Sequence, residues 1–417
     1  MYNTVFWLII AFVVIEFLIE RIISRLNASW FGKPIPSILA GVFNEEKYQK
    51  QQAYSMTNYK FGVFSSSFSV MLSLVALSLG LYGWLDEWLR QWLMNEVWLC
   101  LAFFGVIMVV NVLIDLPFDY YRTFVIEEKF GFNKATKGVF FGDQVKNLLL
   151  SAVMGGVILG LITLIYTLIP TYFWLIAWGV VSAFSLFMTM FYSEWIVPIF
   201  NKQTPLEAGE LRDAIEGFAI EAGFELTNIY VIDGSKRSTK ANAYFSGLGA
   251  KKRIVLYDTL IKELTTQQIV AVLAHEIGHY KHKHTRSMIT VSLLSNLLMF
   301  ALLGYFVASP ALSIAMGGQL PSFHLGIMAF GILYSPISTL LGLAVNSLSR
   351  RNEYQADAYA ASFGLGNDLI GALKKLSSTA LSNLQPHPAF VFVHYSHPTL
   401  LQRVMALQGK KSIKHAS

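Results

Sequence analysis

The chain predicts an all-α polytopic membrane protein with seven transmembrane helices and a small cytoplasmic α+β domain. Three observations carry this. Of its 417 residues, 54% are hydrophobic and only 14% charged, whereas soluble domains carry about a quarter charged residues. Seven apolar stretches each reach the roughly 18 residues that a helix needs to cross a bilayer. Between the fifth and sixth of them lies a polar segment that mixes helical and strand periods. The formal charge of +6 is spread over polar loops, with basic and acidic residues interleaved. With no basic block and no aromatic-interleaved stripe, nucleic-acid binding is a poor reading. The single cysteine, Cys100, lies in an apolar run, so no disulfide framework can form within the chain.

The apolar stretches run from Val5 to Ile23, Val63 to Leu85, Val97 to Ile114, Leu148 to Ile169, Thr171 to Ser193, Met288 to Val307 and Leu325 to Val345. Pro170 divides the fourth from the fifth as a tight hairpin, and Pro336 is expected to kink the seventh. The amino terminus, MYNTV, lacks the basic region of a secretory signal and no small-residue cleavage site stands out, so the first stretch reads as a retained span. Aromatic residues near the ends of the runs, as in YGWLDEWLRQW from Tyr82 to Trp92, read as an interfacial belt. Lys and Arg gather after the first span (Arg21, Arg25, Lys33, Lys47), after the third (Arg122, Lys129, Lys134, Lys137), after the fifth and in the carboxy-terminal tail. The positive-inside rule then puts the amino terminus outside and the carboxy terminus in the cytoplasm. Both polar segments, Asn201 to Arg286 and Ser349 to Ser417, fall on the cytoplasmic side and can meet there. The expected division is 1–197 for five spans, 198–287 for a cytoplasmic segment, 288–348 for two more spans and 349–417 for a second cytoplasmic segment.

In the first polar segment, Leu211, Ile215, Phe218 and Ala222 have helical spacing, with Gly223 suited to the helix end. TNIYVID reads as a strand, and ANAYFSG and RIVLYD, joined by LGAKK, read as a β-hairpin. Thr265 and Gln268 stand in capping-box spacing before an apolar-periodic run, which places the following LAHEIGH well inside a helix.

LAHEIGH is a His-Glu-x-x-His pattern. His275 and His279, four residues apart, project from one helical face and can share one zinc ion, with Glu276 beside them as a base that is not a ligand. Zinc lowers the pKa of bound water to about 7, which makes peptide hydrolysis feasible at neutral pH. Chance would give on the order of 0.01 such matches at this chain's His and Glu frequencies. A catalytic zinc takes a third protein ligand. Glu353, in SRRNEYQADAYA on a second expected helix, is the candidate, and Asp357 one turn later can accept the other ring N–H of a ligand histidine. On an arbitrary helix such a Glu and Asp are exposed surface groups; beside an HExxH the odds reverse. His397 and Arg403, in YSHPTLLQRV, are candidate donors to a developing oxyanion. His282 and His284 read as a basic flank at the membrane surface, because their spacing does not extend the HExxH face. His387 and His394 take no assignment.

These motifs have company. YYRTFVIEEKFGFNK, IVPIFNKQTPL, KANAYFSG, LAHEIGH, SRRNEYQADAYA and YSHPTLLQR occur in this order among the apolar stretches. In that set the chain resembles the CAAX prenyl protease 1 family of integral-membrane zinc metallopeptidases over nearly its whole length. The resemblance implies one zinc ion per chain on His275, His279 and Glu353, with Glu276 as general base and His397 and Arg403 near the active site. It implies a ring of seven tilted helices around a water-filled chamber, with a zincin-like metalloprotease domain. It also implies that NAYFSG is an edge strand on which Asn242 and Ala243 bind an extended peptide by strand addition. Ionisable residues within or beside the spans, Glu16, Glu20, Arg21, Asp115 and Glu194, then face the chamber or pair with one another.

The expected function is a membrane-embedded zinc endopeptidase acting near the carboxy terminus of prenylated or membrane-associated proteins. The alternatives are a broad quality-control metalloprotease and, from a different class, a transporter or inactive scaffold with a fortuitous motif. Its partners are a peptide or protein substrate and the lipid bilayer. The loops are short and KKSIKHAS has no dilysine retrieval signal at the usual distance, which favours a bacterial inner membrane over an endoplasmic reticulum.

Overall fold

The computed structural model describes residues 2–226, 228–246 and 253–409; the predicted LGAKK loop and the KKSIKHAS tail lie outside the described residues. The amino-terminal half is helical. It comprises α1 (Thr4–Ala28), α2 (Glu45–Ser78), α3 (Leu81–Arg90), α4 (Glu96–Tyr121), α5 (Lys137–Leu168) and α6 (Phe173–Trp195). Asparagine and threonine side chains start four of these by accepting from a first-turn N–H: Asn3, Asn44, Asn95 and Thr136. The Pro170 hairpin is present between α5 and α6.

The second predicted span is not one helix. Its helix begins at Glu45, in residues whose polarity hides them from a hydropathy reading, and ends at Ser78. Gly80 then takes φ 65°, a left-handed conformation that suits glycine. The chain re-enters as α3, whose Leu85, Asp86 and Leu89 are buried while Trp84 and Trp88 stay exposed. α3 approaches the loop near Gly317 so closely that a Cβ on Gly83 would lie 2.1 Å from Gly317 backbone atoms. A buried polar network closes this end: Asp86 bonds His324 at 2.6 Å and receives Arg90 Nε at 3.0 and 3.1 Å.

The polar segment folds as β1 (Gln203–Pro205), α7 (Glu210–Glu221), β2 (Asn228–Ile232), β3 (Ala243–Ser246), β4 (Arg253–Tyr257) and α8 (Thr266–Lys281). The sheet order is β1-β2-β4-β3, with β2 and β4 parallel and the predicted β3–β4 hairpin antiparallel. Apolar residues of α7, β2, β4 and α8, among them Ile215, Phe218, Ile254, Leu256 and Ile269, form its core. Ion pairs fasten this domain to the amino-terminal half, among them Glu194 of α6 with Arg253 of β4. Arg237 makes a bidentate pair with Asp143 of α5 at 2.7 and 2.8 Å. Lys240 bonds Glu127 at 2.8 Å and Tyr54 at 3.1 Å. Glu127 ends a π-helical stretch, Arg122–Glu127, continuous with α4, which gives the FVIEEKFGFN motif its structural role.

The chain continues as α9 (His284–Phe306), the 40-residue α10 (Phe323–Ser362), which runs unbroken through Pro336, then α11 (Gly366–Thr379) and α12 (Leu400–Leu407). Among the described residues six helices are long and apolar enough to cross a membrane: α2, α4 continued to Phe130, α5, α6 continued to Phe200, α9 and α10. Side chains such as Leu113, Val153 and Leu168 remain exposed on them, an apolar surface suited to lipid. The predicted first span is helical as α1, but Glu16, Glu20, Arg21 and Arg25 interrupt its apolar length. Glu16 accepts from Ser335 of α10 and Glu20 lies 3.4 Å from His394, so these two carboxylates find partners elsewhere and do not pair with Arg21. Glu194 pairs with Arg253.

Gly83→Ala is expected to lower stability by about 2–3 kcal/mol through overpacking against the Gly317 backbone. The thermal midpoint of purified protein in detergent reads this directly, and an unchanged midpoint would show that α3 is not held by that contact.

Candidate metal centre

Helix α8 starts on the predicted capping box: Thr265 accepts from Gln268 N–H, and the Gln268 side chain accepts from Thr265 N–H. Its apolar face, including Ile269, Val270, Leu273 and Ile277, enters the domain core. His275, at 6% exposure, packs toward α10, whose Asn352, Glu353, Ala356, Asp357 and Ala360 form a buried stripe at helical spacing. Gly278 allows this pairing of helices. A Cβ there would lie 3.0 Å from Ala356 Cα and from Tyr359 Cβ.

The two helices bring three ligand-type atoms together. His275 Nε2 lies 3.1 Å from His279 Nε2, and Glu353 lies 3.5 Å from the first and 3.2 Å from the second. Ligand atoms of the three residues all fall within 4.8 Å of one another. Glu353 is buried, and its Oε2 has no hydrogen-bond donor among the described residues. Metal–nitrogen bonds of about 2.0–2.1 Å at a tetrahedral angle separate two nitrogens by roughly 3.3 Å, so this donor set fits a small divalent cation. Burial pushes the His275 pKa down, but the hydrogen-bonded Asp357 carboxylate and the neighbouring Glu353 carboxylate outweigh it and hold the imidazole up at about 9. The cluster therefore attracts positive charge, whether proton or metal.

The remaining predicted residues surround this cluster in different ways. Asp357 accepts from His275 Nδ1 at 2.9 Å, which orients the ring so that Nε2 faces Glu353. Arg403 differs from an oxyanion donor in position. It is buried, its Nε and Nη2 bond Asp357 at 2.9 and 2.6 Å, and its Nη1 lies 3.6 Å from Glu353. A guanidinium committed to two carboxylates braces the cluster from behind. His397 is 61% exposed at its side chain, and its Nε2 lies 3.3 Å from Glu353 Oε1, at the mouth of the cluster.

Glu276 opens onto a cavity of about 1370 Å³ that is lined also by His279, Asn147 of α5, Thr189 of α6 and Ser292 of α9. Among the described residues Glu276 makes no hydrogen bond or ion pair, so its carboxylate is available to a molecule in that cavity. Tyr244 of β3, the outermost strand of the sheet, and Asn242 just before it line the same space. Tyr257 N–H donates to Asn242 C=O, which makes 242 and 257 a hydrogen-bonded pair and turns the N–H and C=O of Ala243 to the free edge. That N–H donates to Asn242 Oδ1 at 2.9 Å.

One expectation is overturned. His284 is buried and within hydrogen-bond distance of His279, with 2.9 Å between their Nδ1 atoms, where a surface flank was expected. Helix α8 ends at Lys281, Lys283 turns at φ 58° and a new helix starts at His284, so the face rule of a continuous helix does not apply across the break. Gln355, which bonds His284 at 2.8 Å, was not singled out from sequence.

A hydrolytic centre of the HExxH kind, built on a helix that docks against a membrane-length helix, makes this protein an integral-membrane metallopeptidase. Comparison with known proteins agrees. Residues 25–202 match the family described as CAAX prenyl protease N-terminal, five membrane helices, and residues 205–411 match Peptidase family M48. CAAX prenyl protease 1 of Saccharomyces cerevisiae is 37% identical, covering 89% of this chain and 88% of its own. The Arabidopsis thaliana homolog is 35% identical, covering 96% and 97%. The human homolog is 31% identical, covering 90% and 89%. The crystal structure of S. mikatae Ste24p superposes with a TM-score of 0.93 at 34% identity, over 98% of this chain and 100% of that one. The chain belongs to the CAAX prenyl protease 1 family.

Gly278→Ala should force α8 and α10 apart by a few tenths of an ångström and cost about 1–3 kcal/mol. Bound metal should then be lost to a chelator faster than from the wild type. A variant that melts normally and keeps its metal would remove this contact as a constraint on the site.

Proposed function

We propose that the chain is a zinc-dependent endopeptidase that cleaves near the carboxy terminus of prenylated proteins, with its active site towards the cytoplasm. The observation that carries this is the cluster of His275, His279 and Glu353 next to Glu276, which opens on a cavity walled by membrane helices and by the free edge of β3. His275, His279 and Glu353 would hold one zinc ion. Zinc supplies Lewis acidity, lowering the pKa of water to about 7 and polarising a carbonyl oxygen.

The chain's own residues do the rest. The peptide lies along β3, where the outward Ala243 C=O hydrogen-bonds it as an added strand and the Asn242 side chain turns from the Ala243 N–H to the peptide. The Glu276 carboxylate takes a proton from the attacking water as the carbon–oxygen bond forms. It then gives that proton to the amide nitrogen as the carbon–nitrogen bond breaks. His397 donates to the developing oxyanion from the mouth of the cluster. Arg403 and Asp357 hold His275 in orientation. The cavity keeps water at the reaction centre although the surrounding helices face lipid.

For the membrane arrangement, we assign α1 as a seventh span, since its Glu16 and Glu20 are engaged by Ser335 and His394. Of these spans α5, α6, α9 and α10 wall the cavity, and the seven together would form the larger chamber into which it opens. The excess of Lys and Arg after α1, α4 and α6 supports a cytoplasmic α+β domain. The short loops favour a bacterial inner membrane, while the eukaryotic relatives favour the endoplasmic reticulum.

Glu276→Gln should reduce peptide cleavage by about 10²–10⁴-fold while stoichiometric zinc remains bound. Cleavage at the wild-type rate would refute the mechanism. Substrates trapped by this variant decide specificity: carboxy-terminal cysteine peptides support processing, whereas varied membrane proteins support quality control.

Orientation is read with a thiol probe, because the single native cysteine, Cys100, is buried. Glu207→Cys, on an exposed loop of the α+β domain, should be labelled by a membrane-impermeant maleimide only after the cytoplasmic face is opened. Labelling on intact cells would invert the topology.

A further inference from the structure

The ligand-type histidines are usually described by the nitrogen that faces the metal, but each has a second nitrogen whose partner decides whether the first can bind. For His275 that partner is Asp357. For His279 it is His284, and His284 has a partner of its own in Gln355: the His279 Nδ1 to His284 Nδ1 distance is 2.9 Å and the His284 Nε2 to Gln355 Oε1 distance is 2.8 Å. We propose that His284 is a positioning residue that fixes the tautomer and ring orientation of His279, with Gln355 fixing the tautomer of His284 in turn. This rests on the metal-site reading above.

The logic of donors and acceptors gives the chain one productive state. The Gln355 amide oxygen can only accept, so His284 Nε2 carries a proton. In a neutral imidazole the other nitrogen is then bare, so His284 Nδ1 accepts from His279 Nδ1–H. His279 Nε2 is left without a proton, and its lone pair faces Glu353 at 3.2 Å and His275 at 3.1 Å. Reversing the Gln355 amide reverses every link. A proton then sits on His279 Nε2, where it can bond a carboxylate but cannot ligate a metal. A doubly protonated His284 has the same effect, because its Nδ1–H would donate to His279. The relay thus selects the one tautomer that leaves His279 competent.

The fold supplies the geometry. The left-handed turn at Lys283 aims His284 back at the last turn of α8. Gln355 lies two residues after Glu353 on α10, so one helix delivers both the carboxylate of the cluster and the terminal acceptor of the relay. The ring of His282 stacks over His284, 5.5 Å between centroids, which limits its rotation. The two histidines are therefore held differently, His275 by an anion and His279 by a neutral ring.

The test measures zinc affinity of the full-length protein by chelator competition, with thermal melting of the metal-free protein as a control on folding. In asparagine the side-chain oxygen can occupy the position of a histidine Nδ1, so His284→Asn preserves the acceptor, and His284→Leu removes it. His284→Leu should weaken zinc binding about 10–100-fold, with His284→Asn within about threefold of the wild type. Wild-type affinity in His284→Leu, or equal loss in both variants, overturns the proposal, since the second result would mean that the ring only fills space. If His284→Leu does not fold, Gln355→Met, which keeps the shape of the side chain and removes the acceptor, poses the same question one link further out: it should weaken zinc binding about 10–100-fold with the metal-free melting point unchanged, and wild-type affinity overturns the relay. Absence of stoichiometric zinc from the wild type would instead refute the metal-site reading and this proposal with it, so the two failures are distinguishable.

Discussion

The close contact of α8 with α10 at Gly278 is the constraint on which the site depends. Two imidazoles on one helix can present only two donors, and a third must come from elsewhere at ångström accuracy. Ala356 Cα and Tyr359 Cβ lie 3.0 Å from where a Cβ at 278 would sit, so the helices pack closer than a side chain there comfortably allows. That approach brings Glu353 to within 3.2 Å of His279 and Asp357 to within 2.9 Å of His275. The capping box that starts α8 and the core beneath it fix the rotation of the helix, so the histidines face α10 and the apolar side faces the sheet.

That packing buries an unusual density of charge. Glu353, Asp357 and Arg403 are all buried beside His275. Taking such groups out of water is costly unless each is paired, and removing one partner leaves another charge uncompensated. Here the guanidinium of Arg403 spans Asp357 and approaches Glu353, and His275 lies between the two carboxylates. The remaining orphan, Glu353 Oε2, is the atom that a cation would satisfy. The arrangement therefore favours a defined metal geometry over maximal stability of the metal-free protein.

The membrane and the water chemistry are reconciled by the cavity. Its walls combine Asn147, Thr189 and Ser292 from membrane-length helices with Glu276 from the α+β domain, so polar groups line the inside while Leu113, Val153 and Leu168 face outward. The ion pairs Asp143–Arg237 and Glu127–Lys240 help set the domain over this space, and Glu127 comes from the FVIEEKFGFNK motif, which bears no catalytic group. The ionisable residues of α1 belong to the same economy of position, since Glu16 and Glu20 reach Ser335 and His394.

The sequence by itself determined the helical membrane class, the α8 capping box, the β3–β4 hairpin and the HExxH–Glu353–Asp357 combination. The first three are encoded in local spacing, through periodicity and hydrogen-bonding type, whereas Glu353 and Asp357 are candidates whose tie to the HExxH helix comes from the family resemblance. It did not disclose the early start of α2, whose first turns are polar, nor its break at Gly80, which depends on α3 packing against the loop near Gly317. Nor did it disclose β1, three residues with no alternation to read. Tertiary structure alone decided that Arg403 lies behind the cluster and that His284 belongs to it. Arg403 is aimed by α12 onto a carboxylate 46 residues away, and His284 is turned inward by one left-handed residue between two helices. Such contacts depend on how elements cross in space, and no period along the chain records that.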